Sequence, residues 1–171
     1  ATPCVYDSVM TEEDFQTQGR LHDVAARVVL KCLYLARIGR PDLLWSVNIL
    51  ARQVTNWTTA CDKIMERLIA YIHHTKHWTH HNYVGDPPEH CFLALFQDAS
   101  FAGDVLDSKS TRCGLLCLVG PRTVVTLAWM CKKQTAVSQS SAEADVISLD
   151  AGLRLEGIPS LTLWDQTSGG V

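Results

Sequence analysis

The sequence predicts an α/β chain: a helical bundle, followed by a three-stranded antiparallel meander with one long helix packed on it. Two observations predict this. Apolar residues recur at helical spacing from residue 24 to residue 72, and after a polar break they change to short strand-like runs between residues 91 and 130. A serine-rich stretch at 138–141 then offers caps for a further helix.

The first 23 residues are polar and acidic without a sustained period, so an arm that is mobile or ordered by a partner is expected over 1–23. From residue 24 the rhythm Val24, Val28, Cys32, Leu35 predicts a helix, which Gly39-Arg40-Pro41 ends. Pro41 suits the first turn of a second helix and Asp42 its positive end, with Leu44, Val47, Leu50, Ala51 and Val54 as the stripe. Capping candidates at 56–59 precede a third helix whose apolar face is Ile64, Leu68, Tyr71 and Ile72. Residues 24–82 therefore form a helical region. The break Tyr83-Val84-Gly85-Asp86-Pro87-Pro88-Glu89 marks 83–90 as a linker to a second domain, 91–171.

In that domain 91–97 is a nearly continuous apolar run, as in a strand covered on both faces. A loop rich in Gly, Asp and Ser leads to a second strand at 113–119. A Gly120-Pro121 turn and a β-branched run at 123–130 complete the meander. A helix is expected from about 142 to 155, interrupted at Gly157-Ile158-Pro159 before a short final helix through Trp164.

Fifteen Lys and Arg against eighteen Asp and Glu leave a net charge of −3, whereas a free-standing nucleic-acid binder carries a basic stripe. Unaided retention of nucleic acid should be weak. Arg27, Lys31, Arg37 and Arg40 interrupt the most apolar early stretch, so no membrane span is expected. The start lacks a basic segment followed by an apolar one, and secretion is not expected. The seven cysteines lack paired C-x2-C spacing and read as buried thiols of an intracellular, reducing compartment. Cys113 and Cys117 are four apart in a strand and face one side. A histidine cluster could place His73, His77 and His80 or His81 on one helical face, at a spacing able to bind a transition metal. It has no Cys or carboxylate partner at suitable spacing, and a polar helix end is the preferred reading.

The residues that could carry chemistry form an ordered series. It runs Gln97-Asp98-Ala99-Ser100-Phe101-Ala102-Gly103-Asp104, Lys109-Ser110-Thr111-Arg112-Cys113-Gly114, Trp129 with Lys132-Lys133-Gln134, and Ser140-Ser141-Ala142-Glu143-Ala144-Asp145. Asp98 ends an apolar strand, where a carboxylate is costly unless it leaves the core for a site. Glu143 falls in the first turn of a helix. A strand-borne Asp and a helix-borne Glu brought together would suit Mg²⁺, which prefers oxygen ligands and retains water. The two carboxylates are accordingly expected within reach of one ion, on one side of the sheet.

This series resembles the ribonuclease H domain of copia-type retrotransposon polyproteins, with its S-D-A-D-W-A-G-D, K-S-T-S-G, W-x-S-K-K-Q and S-S-T-E-A-E motifs. Upstream, Leu33-Tyr34-Leu35-Ala36-Arg37, Arg40-Pro41-Asp42 and Ile69-Ala70-Tyr71-Ile72 resemble the L-x-Y-L-x-x-x-R-P-D and R-Y-L stretches at the end of that family's reverse transcriptase. The resemblance covers roughly residues 24–164, and several motifs in order are more specific than a single short one. It implies a partial ribonuclease H-like fold and two-metal cleavage of the RNA strand of an RNA–DNA hybrid, with Mg²⁺ or Mn²⁺ as cofactor. By the same resemblance Asp98 would bridge both ions and Glu143 would bind one.

The family's third carboxylate lies on a fourth strand, in a C-D-N-like motif, and a further acidic or histidine ligand follows later. Asp165 in Trp164-Asp165-Gln166-Thr167-Ser168 echoes the third, but only twenty-one residues separate it from Glu143, and Leu161, Leu163 and Trp164 read as helical core. The chain is thus expected to be C-terminally truncated relative to the family and weakly active or inactive. Asp104 and Asp107 read as loop formers, Asp145 points away from Glu143, and Lys132 and Lys133 read as solvated although they could touch phosphate. The alternative function is non-enzymatic: a retrotransposon-derived structural or accessory subunit, with protein partners covering the sheet edge and Leu155, Leu161, Leu163 and Trp164. A single-strand binder stacking bases on Trp57, Trp78 and Trp129 lacks the basic groove it would need.

Overall fold

The computed structural model describes residues 2–5, 9–103 and 108–168. The chain divides into two units, Ala1–His80 and His81–Val171.

In the first unit the sequence expected as an arm is fastened at Thr2, whose carbonyl accepts from Arg67 Nε, at Cys4, whose sulfur meets the Ser46 hydroxyl, and again from residue 11 onward. A short helix α1 (Glu12–Gln16) is closed by Thr11, whose N–H and hydroxyl both donate to Asp14 Oδ2 at 2.8 and 3.0 Å. The same oxygen takes Lys63 Nζ at 2.7 Å. Beyond it Gln18 bridges to Thr58, and the Gly19 N–H donates to the Trp57 carbonyl. A Cβ at Gly19 would collide with the Thr58 carbonyl, so this close strand-like approach requires glycine. Buried Asp62 accepts from the backbone N–H of Arg20 and Leu21 and, at 2.7 Å, from Trp57 Nε1, which fixes the start of the next helix.

That helix, α2 (His22–Ile38), buries Ala25, Val29, Cys32 and Ala36, a stripe displaced from the expected Val24, Val28 and Leu35. Apolar residues wrap most of this helix, so apolarity alone does not pick its inner face. The set containing two small alanines goes inside, and Leu30, Tyr34, Leu35 and Ile38 stay exposed. A 3-10 turn (Pro41–Leu43) leads to α3 (Leu44–Arg52), which buries Leu44, Val47 and Leu50 as its spacing predicts. Helix α4 (Thr59–His74) buries Ala60, Met65, Leu68 and Tyr71. Because it ends at His74, the exposed His77, His80 and His81 lie outside any helix and share no face with His73.

The Arg40-Pro41-Asp42 stretch has a structural role here. The Arg40 guanidinium forks onto Asp42 at 2.8 and 2.9 Å and donates to the hydroxyl and carbonyl oxygens of Thr75. It also lies 5.7 Å from the Tyr71 ring centre and 5.9 Å from that of Trp78.

The second unit is built on β1 (Phe92–Ser100), β2 (Thr111–Gly120) and β3 (Thr123–Lys133), antiparallel in the order β1-β2-β3. A bulge at Leu116/Cys117 shifts the β2/β3 register. Helix α5 (Ser141–Gly152), a π-helical turn (Leu153–Gly157) and α6 (Ile158–Ser168) follow. The expected meander and long helix are therefore present.

Residues 83–90 are not a free linker. Tyr83 exchanges two backbone hydrogen bonds with Val124, and Asp86 accepts from the Arg122 N–H at 2.6 Å and the Thr123 hydroxyl at 2.8 Å, closing the β2–β3 turn. These bonds extend the unit back to its boundary.

Strand β1 is covered on one face rather than two. Gln97 points to α5, where Ser148 Oγ lies 3.2 Å from its Oε1. By strand alternation Leu93 and Leu95 share that face, and Phe92, Phe96 and Asp98 stand on the other. Phe92 and Phe96 are 58% and 57% exposed. The Gln97 side chain occupies the space that a Cβ on Gly114 or Gly152 would take, so two glycines let β2 and α5 close on it. Leu155, Leu161 and Leu163 are exposed and Trp164 is partly buried. Among the described residues no helix is long and apolar enough to cross a membrane.

Candidate functional site

Ser100, Thr111 and Lys133 stand side by side across the three strands and define one end of the sheet. Asp98 lies two residues inside that end on β1, exposed, opposite Cys113 on β2. Its backbone carbonyl accepts from Ser148 Oγ of α5 at 3.0 Å. The helix that carries Glu143 is thereby tied to the strand segment that carries Asp98.

The start of α5 is held at the same end by β3. Buried Gln134, just past Lys133, donates through Nε2 to the Ala144 carbonyl at 2.8 Å and accepts from Ser138 at 2.8 Å, while its N–H donates to the Ser110 carbonyl. Ser110 is fully buried, and its Oγ takes the Ala102 N–H, which positions the exit from β1. Ala102 has φ 48°, a left-handed conformation uncommon for a residue with a side chain. These polar anchors, Ser110, Gln134 and Ser148, escaped the sequence reading as individual contributors. Ser110 and Gln134 lie inside motifs, and that was their only signal.

Glu143 sits in the first turn of α5. Ser140 Oγ accepts from the Glu143 N–H at 3.1 Å as the N-cap, and Glu143 Oε2 accepts from the N–H of Gln139, the residue before the cap, at 2.7 Å. The side chain is exposed, but one oxygen is turned back to its own helix. The expectation that both carboxylates open onto one side of the sheet is not met. Asp98 stands on the face opposite Gln97 and α5, and the two share the sheet's end only. An ion bound to both would take Glu143 through Oε1, the oxygen not bonded to the Gln139 N–H.

The neighbour of Asp98 is a thiol pair. Cys113 and Cys131 are register partners with Sγ atoms 3.2 Å apart. The Cys131 sulfur holds the Cys113 thiol below its ordinary pKa, against burial and the Asp98 charge, both of which push it up.

Asp165 lies exposed on α6, on a helix and not on a fourth strand. Asp145 is exposed on α5, and Asp104 and Asp107 fall outside the described residues. Among the described residues no group of three or more His, Cys, Asp or Glu side chains converges as a metal site. The donors that do lie at this end, two exposed carboxylates, suit in kind a single hydrated Mg²⁺ or Mn²⁺ and are too few to cage two ions.

No protein-family model matches this chain, and no curated protein or solved structure matches it at a significant level. The likeness to copia-type ribonucleases H rests on the motifs themselves.

Proposed function

We propose that residues 91–171 are a ribonuclease H-type domain of copia-type retrotransposon lineage, following a helical region from the end of the reverse transcriptase. Its substrate class is the RNA–DNA hybrid, which this chain would cleave weakly at most. The observation that carries this reading is the docking of α5 on β1 through Ser148 and the Asp98 carbonyl, which sets the Glu143 helix against the Asp98 strand in the family's strand, strand, strand, helix order.

Asp98 and Glu143 would hold the ion between them, Asp98 from the face opposite α5 and Glu143 from the start of that helix. Glu143 would offer Oε1 to the ion while Oε2 stays on the Gln139 N–H. When bound, a divalent ion lowers the pKa of its water and stabilises the leaving oxygen. Two carboxylates, one of them also engaged at a helix start, make that binding weak, which is the physical basis for expecting feeble cleavage.

The test is incubation of the whole chain with a labelled RNA–DNA hybrid and Mg²⁺ or Mn²⁺. Faint cleavage of the RNA strand that disappears in both Asp98→Asn and Glu143→Gln supports the proposal. Cleavage that survives either substitution overturns the assignment.

A second reading, a non-enzymatic accessory subunit of a larger assembly, draws on the exposed Leu155, Leu161 and Leu163. Complete absence of cleavage with either ion, together with a defined complex that buries these leucines, favours it.

A further inference from the structure

We infer that Cys113 and Cys131 are a redox modification site, closing to a disulfide that staples β2 to β3 beside Asp98. The pair is directly opposed in an antiparallel ladder, and the sulfurs already lie 3.2 Å apart. Opposed residues in such a ladder have Cα atoms about 4.5–5.5 Å apart, inside the roughly 4.4–6.8 Å that a disulfide spans. The sulfurs need approach only to about 2.05 Å, which rotation about the two Cα–Cβ bonds can supply without moving the strands.

Access is asymmetric. Cys113 is half-buried and Cys131 is 6% exposed. A small disulfide such as oxidised glutathione therefore meets Cys113 first. The Cys113 sulfur loses its proton and bonds to one glutathione sulfur, and the other leaves as a thiol. Cys131 then attacks the mixed disulfide at the Cys113 sulfur, loses its proton and expels the second glutathione as a thiol. The two electrons lost by the cysteines reside in the two glutathione thiols. No other cysteine competes by register: Cys117, on the same face, is opposite Ala94 on one side and Thr126 on the other.

The site is tested on the whole chain, equilibrated in glutathione buffers of graded potential, trapped by alkylation and mapped by peptide mass spectrometry. The expected product is one linked peptide pair, Cys113–Cys131, with the other cysteines alkylated as thiols. Its thermal midpoint should rise by several degrees over the reduced protein, because two positions 18 apart in the sequence are joined. In Cys131→Ser, glutathione should instead remain trapped on Cys113, and Cys131→Ala serves if the serine variant loses its circular dichroism. Disulfides joining other cysteines, persistent glutathione on Cys113 of the unaltered chain, or thiols at 113 and 131 that survive strongly oxidising buffer would each overturn the inference.

Discussion

The Ser148 hydroxyl on α5 donates to the Asp98 carbonyl on β1 at 3.0 Å, and the same hydroxyl lies 3.2 Å from Gln97 Oε1. One fully buried side chain thus joins the helix to the strand end where the candidate carboxylate stands. Ser148→Ala removes this joint while adding no bulk. Loss of a buried hydrogen-bonding group should lower stability by about 1–3 kcal/mol in urea denaturation, with faster amide exchange over α5 than over β2.

Gly152→Ala should be destabilising by about 1–3 kcal/mol, because the new methyl group meets the Gln97 side chain and the packed helix must shift. Shortening Gln97 to alanine in the same chain should return part of that loss. A double-mutant cycle in denaturant would show coupling above about 0.5 kcal/mol if the contact is the cause.

Asp62→Ala strips three donors, the Arg20 and Leu21 amides and the Trp57 indole, of their shared acceptor. The first unit should lose about 3 kcal/mol or more, with a change in tryptophan fluorescence. Asp62→Asn, which keeps one acceptor oxygen, should lose less.

Much of this was legible in the sequence, and the failures have physical causes. The 3.6-residue rhythm placed the three helices of the first unit, and short apolar and β-branched runs between turn signals placed the meander. The α2 stripe was misplaced because apolar residues surround that helix, and small alanines settled which face went inside. The arm and the linker at 83–90 looked unstructured because the order of their described residues comes from polar contacts, such as Asp14 with Lys63 and Asp86 with Thr123, which carry no period. The orientation of Asp98 relative to α5 depended on which β1 face the helix chose, and the polar Gln97 could not advertise itself as the inward residue. Only the pair of glycines that receive it reveals why it fits.

Burial pushes the Asp86 carboxyl up, yet the Thr123 hydroxyl, the Arg122 N–H and the Arg122 guanidinium together hold it below its ordinary pKa. A carboxylate depressed in the folded state adds stability that is fully present above its unfolded pKa and is lost as pH falls through the folded value. The second unit should therefore melt at progressively lower temperature as the medium is acidified below the ordinary carboxylate range. Asp86→Asn should be less stable at neutral pH and show a flatter acid limb in calorimetry.

The proposal that Asp98 and Glu143 share an ion is tested most directly by Mn²⁺ binding, followed by electron paramagnetic resonance on the whole chain and on Asp98→Asn and Glu143→Gln. The account predicts one weak site whose affinity falls about tenfold or more in each variant, since each removes one of two protein ligands. Mn²⁺ bound as tightly by Glu143→Gln as by the unaltered chain would contradict it, because the ion would then be held without the helix.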